Sequence, residues 1–391
     1  MTDIALHWVL PDPNRERAAD PLGTGAFADR LADQLVPDFS VATSRARYLS
    51  LLCAAVRKAA GSTAPLRAIH AIEADHAVRE AVLHRDEPTD GCPGIVGRMR
   101  ATAELKRLDW ASPARPERLY KSTAFAQYRP LMRALGLLQR GSAARLTSAG
   151  EQLAAAYPLR GASERRCLGA ITTREQRQLY APLGLDLRSS PEEGSPQARR
   201  RATYQYLAHR PTADARTLIQ AHARPASRAN SVGAWLHTAY AWETLSIGLL
   251  CGLSLLVHAR QRLSLATKDL KAALSGRRSV PTLDEDLDRD EAADHCVGLL
   301  REALRVRAAL PASCTPYLEL AQTLVTSREP AEFLRRVADQ HARAKGGVAW
   351  FRLDGDRVVV IATGKNLDFR LGARSYRLDA YMRFLGDLGK L

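Results

Sequence analysis

One stretch of sequence, residues 122–157, restricts the local fold more than any other. After Ser122, apolar residues recur at three- and four-residue spacings and form one face of a helix; they are Phe125, Tyr128, Leu131, Met132, Leu135 and Leu138. Gly136 lies where this helix can end in the left-handed conformation. A polar turn, a short extended piece and a second amphipathic helix, opened by Ser148, complete the stretch. The pattern predicts a helix, a hairpin and a second helix in direct succession.

The order of these elements resembles that of winged-helix DNA-binding modules, over residues 112–158 of the 391. The ending of such modules, "LGLL…LT..G..LA", is matched here by Leu135 to Leu138, Leu146, Thr147, Gly150, Leu153 and Ala154. Pro130 departs from the pattern, because a proline inside a helix kinks it or delays its start. The resemblance implies a DNA-binding helix followed by a wing. An ordinary helix-hairpin-helix within an α-helical core is the alternative.

The chain carries a formal net charge of +15, from 57 basic and 42 acidic residues. Such an excess favours an anionic partner, with nucleic acid first. The charge is unevenly distributed, since residues 98–145 hold eleven basic side chains and three acidic ones. More than half of the excess therefore lies around the segment that resembles a winged helix. The sequence predicts double-stranded DNA as the partner.

The resemblance also implies which side chains would contact DNA. In chain order these candidates are Lys121, Ser122, Thr123, Gln127, Arg129, Arg133, Arg140 and Arg145. The first three stand at the start of the helix, where a phosphate is suited to the free backbone N–H groups. The next three are expected to reach the major groove. The last two are the only cations of the wing, so any contact of the wing with phosphate depends on them.

Other arginines are expected to lie on the surface. Three follow one another at residues 199–201, and successive residues cannot all face one side of a helix. They are interpreted as a surface feature, with a secondary contact to the DNA backbone as the alternative. Arg45, Arg47 and Arg57 belong to a predicted helix over residues 40–60 and are expected on its solvated face.

The predicted fold class is mainly α: a helical multidomain protein with an embedded winged helix and a small C-terminal α/β unit. Four domains are expected: an N-terminal helical domain over residues 1–110, a winged-helix-like domain over 111–160, a helical core domain over 161–278, and an acidic linker with a C-terminal α/β domain over 279–391. The C-terminal part is assigned two strands, 348–353 and 357–361, around an Asp-Gly turn, and a closing helix over 378–388.

The location of the protein is predicted from its cysteines and its N-terminal sequence. The six cysteines are scattered, without a CxxC pair or a histidine at ligand spacing, and so are expected to be reduced core residues. The first twenty residues lack the pattern of a secretion signal. The most apolar run, residues 245–257, is shorter than a bilayer requires and predicts a buried helix. We expect a cytoplasmic protein with no membrane contact, no metal and no cofactor.

Three functions follow from the sequence. The first is a non-enzymatic DNA-binding protein that acts through a winged helix and a basic surface, and its general organisation is similar to that of proteins from bacterial mobile-element and phage-defence loci. The second is a protein-interaction subunit of a larger DNA-processing complex. The third is a metal-dependent nuclease that uses C-terminal carboxylates, with Asp354, Asp356 and Lys365 available. The phosphate-loop, HExxH and GxSxG motifs are absent, which favours a protein without enzymatic activity.

Overall fold

The computed structural model describes residues 22–83, 96, 122–142, 144–157, 171–186, 188–210, 214–224, 231–258, 289–326, 330–345, 351–354, 357–360 and 374–391. These residues form thirteen α-helices and one two-stranded antiparallel sheet. The predicted class, mainly α, is therefore confirmed. In the part of the chain that is described, no helix is long and apolar enough to span a membrane.

The helices, in chain order, are α1 (Gly25–Leu35), α2 (Arg47–Ala59), α3 (Pro65–Leu83), α4 (Ala124–Ala134), α5 (Ser148–Ala156), α6 (Thr173–Leu183), α7 (Pro196–Ala208), α8 (Ala215–Gln220), α9 (Ser231–His258), α10 (Arg289–Arg305), α11 (Thr315–Thr326), α12 (Pro330–Lys345) and α13 (Leu378–Asp387). Short 3₁₀ turns cover Arg307–Ala309 and Ala312–Cys314. The sheet pairs β1 (Phe351–Asp354) with β2 (Arg357–Val360), and Phe351 lies opposite Val360. The predicted antiparallel pairing and the closing helix near the C-terminus are present, whereas residues 355 and 356 of the predicted turn lie outside the described residues.

The chain divides into two compact units. The first unit comprises Met1–Leu31 and Ala213–Ser375, and the second comprises Ala32–Thr212 and Tyr376–Leu391. The boundary near residue 31 falls within α1. The division of the sequence into four domains stays a prediction.

In the first unit, the long helix α9 packs against α10 and α11. Its Trp242 is fully buried and contacts the rings of Phe27 and Tyr317, at centroid distances of 4.4 and 5.1 Å. The neighbouring carboxylate of Glu243 is also buried, and it accepts hydrogen bonds from the backbone N–H of Arg374 at 2.9 Å and from its guanidinium at 3.3 Å. A buried carboxylate is tolerated because it is paired in this way. The apolar run at 245–257 thus lies within a core helix.

In the second unit, α2 packs against α3, α4 and α5. The helix begins at Arg47, whereas the periodicity predicts a start at residue 40. The prediction is wrong there because Ser40 and Thr43 bond to each other in a local turn, with the Ser40 N–H donating to the Thr43 Oγ1 at 2.8 Å and that hydroxyl donating to the Ser40 carbonyl at 2.9 Å. Asp387 of α13 then accepts from the backbone N–H of Ala46 at 2.9 Å, at the first turn of α2.

The arginines assigned to the surface of α2 are largely buried. Arg45 is 5% exposed and Arg47 is 3% exposed, so the expected solvated face is wrong for both. The Nε of Arg45 donates to Asp387 at 3.0 Å. Burial raises the pKa of the Asp387 carboxyl to about 6, and Arg45 counteracts part of that rise. The sequence could not predict this pair, since its members lie more than three hundred positions apart in the chain.

The three successive arginines at 199–201 also bind within the protein. Arg200 is fully buried, and it donates to Asp38 at 2.7 Å and to the carbonyls of Leu183 and Pro182, at the last turn of α6, at 3.5 and 3.3 Å. Arg201 donates to the carbonyls of Gly184, Asp186 and Ser189, each at 2.5 Å, and Arg199 donates to Gln34 at 2.9 Å. The carbonyls at a helix end lack partners within the helix. Arg200 and Arg201 supply such partners. The interpretation as a surface feature is wrong for Arg200, which is buried, whereas Arg199 and Arg201 are half-buried.

Candidate nucleic-acid interface

The start of α4 is capped by two side chains. Thr123 precedes the helix in extended conformation, and its Oγ1 accepts from the N–H of Ala126 at 3.2 Å. The carboxylate of Glu73, from α3, accepts from the N–H groups of Ala124 and Phe125 at 3.0 and 2.8 Å. Burial raises the pKa of Glu73 to about 7, and the two backbone hydrogen bonds counteract part of that rise. The N–H groups that a helix start offers to an anion are therefore already bound to protein acceptors.

Two of the candidate residues at the helix start already form hydrogen bonds within the protein. Ser122 is exposed, and its carbonyl accepts from the side-chain amide of Gln127 at 3.2 Å. The Thr123 hydroxyl is engaged as the cap and also lies 3.3 Å from Nε2 of His70. Lys121 lies outside the described residues. A phosphate at this end would depend on exposed side chains and would face the capping carboxylate of Glu73.

The end of α4 turns the chain into the hairpin. Gly136 adopts a left-handed φ of +68°, which favours glycine. The N–H of Leu137 donates to the carbonyl of Met132 at 2.8 Å, and the N–H of Gly136 donates to the carbonyl of Arg133 at 3.0 Å. This is the Schellman arrangement, and the apolar contact pair that accompanies it, Leu137 and Met132, is fully buried. The left-handed end that the sequence predicts at Gly136 is confirmed.

Pro130 lies inside α4 without delaying its start, which is at Ala124. The proline removes one N–H donor and so leaves a carbonyl of the preceding turn without its helical partner. Because Pro130 and Ala126 are both exposed, water can serve that carbonyl. Of the two effects predicted for Pro130, a kink or a delayed helix start, the delay is therefore wrong.

The hairpin is short and is anchored by two leucines. Leu138 pairs with Leu146 in an antiparallel bridge, and both side chains are buried. The N–H of Gln139 donates to the carbonyl of Arg145 at 2.9 Å, and the N–H of Thr147 donates to the carbonyl of Leu137 at 3.1 Å. Neighbouring residues in an extended segment point to opposite faces, so burying the leucines turns the side chains next to them outward. On the side of the pair that faces the turn, the adjacent residues Gln139 and Arg145 are accordingly exposed.

The second helix, α5, is fitted closely to the hairpin. Thr147 caps it, since its Oγ1 accepts from the N–H of Gly150 at 3.2 Å and donates to the carbonyl of Gly136 at 2.5 Å. A Cβ atom at Gly150 would lie 2.2 Å from the carbonyl oxygen of Leu137. Only glycine fits this close approach. The threonine and glycine of the "LT..G" spacing thus have a physical role in joining helix and hairpin.

The candidate arginines of this segment fall into two groups. Arg129 is partly buried, and its Nε is buried with no hydrogen-bond partner. Arg133, Arg140 and Arg145 are exposed, and we call them the hairpin arginines. Arg133 joins the other two because its Nη2 donates to the carbonyl of Ser142, in the hairpin turn, at 2.9 Å. Within residues 122–157 the only acidic residue is Glu151, so the hairpin has a net positive charge.

Two residues that shape this site were not identified from the sequence, Glu73 and Tyr128. Glu73 lies four residues from both Ile69 and Ala77, which are buried, and this position on an apolar helix face was a usable signal for a buried carboxylate. Tyr128 was placed on the apolar face of α4, but its hydroxyl also accepts from the N–H of Arg45 at 2.9 Å. Burial raises the pKa of that hydroxyl above its usual range.

Among the described residues, no group of three or more histidine, cysteine, aspartate or glutamate side chains could hold a metal ion. Asp354 lies exposed at the end of β1, whereas Asp356 and Lys365 fall outside the described residues, as does most of the acidic run at 282–294. Comparison of the chain with protein-family models, with curated proteins and with solved structures finds no match.

Proposed function

We propose that this protein binds double-stranded DNA without enzymatic action, through α4, the hairpin and α5 acting as a winged helix. The observation that supports this most directly is the exposure of the three hairpin arginines, two on a short hairpin and one, Arg133, in the last turn of α4 and bonded to the hairpin turn. Arginine on an exposed hairpin is suited to the phosphate backbone, whose charge dominates affinity for DNA. The proposal includes the cytoplasmic location expected from the cysteines, and Cys53, Cys251, Cys296 and Cys314 are buried and not joined in disulfides.

The geometry favours the hairpin over the start of α4 as the place of the phosphate contacts. At the helix start, the backbone donors are engaged by Glu73 and Thr123, and a carboxylate adds negative charge there when it is ionised. At the hairpin, Arg140 and Arg145 are exposed, and no carboxylate lies between Ser122 and Thr147 in the sequence. Phosphate contacts position a protein on the duplex but do not read its sequence. Base contacts would come from Gln127 and its neighbours on α4.

The test is fluorescence anisotropy of the full chain with labelled random-sequence duplex DNA across a salt series. We expect binding that weakens steeply with salt. The double variant Arg140→Ala/Arg145→Ala should lower the slope of log K against log salt by about 2, since two phosphate contacts are lost. The matched control is Arg174→Ala/Arg177→Ala, which removes two exposed arginines from α6 and should leave the slope unchanged. Absence of duplex binding at low salt would overturn the proposal.

One observation favours a second function, the docking of a partner protein. The exposed face of α4 carries Ala126, Pro130 and Ala134 at four-residue spacing, an uncharged stripe where a DNA-reading helix usually has polar groups. Ala134→Lys separates the two functions. If this face lies against DNA, the added cation should tighten duplex binding and raise the salt slope by about 1. If duplex binding by the wild type is weak and Ala134→Lys leaves it unchanged, the interaction-subunit function is the better supported one.

A further inference from the structure

Arg133 has a hydrogen bond that distinguishes it from the other hairpin arginines. It lies in the last turn of α4, and its guanidinium reaches nine residues along the chain to the carbonyl of Ser142. The bond is 2.9 Å long, within the normal range for such a donor and acceptor. In the described residues of the turn, 140–142 and 144, this is the one side-chain hydrogen bond that joins the turn to a helix.

The hairpin needs such a link because its own pairing is minimal. Its base is fixed by the buried leucine pair and by the bond from Thr147 to Gly136. Beyond that base, the Gln139 N–H donates to the Arg145 carbonyl at 2.9 Å, and the Ser142 N–H reaches the carbonyl of Gln139 at 3.4 Å, a long bond. A two-stranded hairpin of this length has little stability of its own in water. The turn that carries Arg140 is therefore ordered chiefly from outside, by the guanidinium of Arg133.

We propose that Arg133 is a positioning residue: it holds the hairpin turn against the end of α4, so that Arg140 and Arg145 are presented to DNA phosphates in a fixed arrangement. The inference rests on the proposed DNA binding and changes the role expected for Arg133, which is not a base-reading or phosphate-contacting group. Ordering a mobile segment on binding costs affinity, and pre-ordering it removes that cost. The bond to Ser142 supplies this order before DNA arrives.

Two measurements on Arg133→Ala test the proposal. The first is the salt series with duplex DNA. A positioning residue should lower affinity by about threefold to tenfold, with the salt slope unchanged, because the phosphate contacts are made by other residues. A residue that contacts phosphate directly should lower the slope by about 1. Arg140→Ala is the matched variant, for which the slope should fall.

The second measurement is amide hydrogen exchange of the free protein. The N–H groups of Gln139 and Thr147 donate across the hairpin, so they report its opening. They should exchange several-fold faster in Arg133→Ala and at the wild-type rate in Arg140→Ala. Arg133→Lys, which keeps the charge and can still donate to the Ser142 carbonyl, should restore slow exchange.

The outcomes are distinguishable from a failure of the proposed function. A reduced salt slope together with unchanged exchange in Arg133→Ala would overturn the inference and make Arg133 a direct DNA contact. If the wild-type protein does not bind duplex DNA, the proposed function fails and so does the DNA-presenting role of Arg133. Faster exchange would then show only that Arg133 orders the hairpin. Since Arg133 is exposed, we expect the variant to fold, and circular dichroism verifies this.

Discussion

The second unit contains two sets of three arginines that differ in exposure. Those at 199–201 form a basic run in the sequence. Their guanidiniums donate to the carboxylate of Asp38, to backbone carbonyls such as that of Gly184, and to the side-chain amide of Gln34. The hairpin arginines are spread over thirteen residues and are exposed. The difference shows that charge density along the chain does not measure charge available to a partner. Availability depends on whether unpaired carbonyls or carboxylates lie within reach in the fold.

The largest effect should come from the buried member of the adjacent set. Arg200→Ala removes the partner of Asp38 and of the last carbonyls of α6, and we expect a loss of about 3–5 kcal/mol in the free energy of unfolding. Urea unfolding followed by circular dichroism measures it. The matched control, Arg199→Ala, loses one bond to Gln34 and should cost about 1 kcal/mol. Equal costs for the two variants would contradict the comparison.

A smaller loss is expected where α5 meets the hairpin that carries the exposed set. Gly150→Ala places a Cβ against the Leu137 carbonyl and should destabilise the protein by about 1–3 kcal/mol. Gly386→Ala is the control, because Gly386 also lies in a helix, α13, and has no atom within 4 Å of the added Cβ. That variant should be neutral or slightly stabilising. Thermal unfolding of the two variants measures both changes, and equal stability of the two would contradict the prediction.

The pH dependence of stability tests the buried carboxyl group that caps the start of α4. The pKa of Glu73 is raised in the folded protein to about 7, so its protonated form favours folding. The associated stability is fully present below the unfolded pKa and is lost as the pH rises through 7, by about 1 kcal/mol between pH 6 and 8. Glu73→Gln should flatten this part of the profile. If the free energy of unfolding of the wild type instead rises between pH 6 and 8, ionisation of Glu73 does not destabilise the folded protein.

The smallest effect on stability is expected from the hairpin arginines themselves. Arg140→Ala/Arg145→Ala should change the free energy of unfolding by less than about 0.5 kcal/mol, since both side chains are exposed and lack ion pairs among the described residues. The same urea titration used for Arg200→Ala measures it. In the salt series, the loss of Arg140 and Arg145 should weaken DNA binding while leaving the free energy of unfolding nearly unchanged. The loss of Arg200 should lower the free energy of unfolding. A destabilisation as large as that of Arg200→Ala would remove the distinction.

The local features of the fold were predictable from the sequence. The spacing of apolar residues and the position of Gly136 are properties of a few neighbouring residues, and α4, its left-handed end and the start of α5 agree with them. The same holds for the antiparallel pairing of β1 with β2. Whether the segment is a winged helix in function stays a prediction.

The features that were missed depend on residues distant in the chain. At the start of α2, Asp387 accepts from the N–H of Ala46, and the buried Arg200 pairs with Asp38. The turn at Ser40, by contrast, is local and was a usable signal. The periodicity of one segment holds no information on a partner more than a hundred residues away. Exposure of the hairpin arginines likewise followed from the structure, since the sequence could not distinguish them from Arg129, which is partly buried.

Because α13 belongs to the second unit, that unit needs the end of the chain in order to fold during synthesis. Phe384 stacks edge-on against Phe39 at 5.0 Å, and Asp387 caps α2, yet residues 213–375 of the first unit are translated between these partners. Domains fold as units while the chain emerges from the ribosome. The second unit cannot complete its core until residue 387 has been released, although most of it is synthesised early. We expect nascent chains that stop near residue 375 to hold this unit incompletely folded and dependent on chaperones.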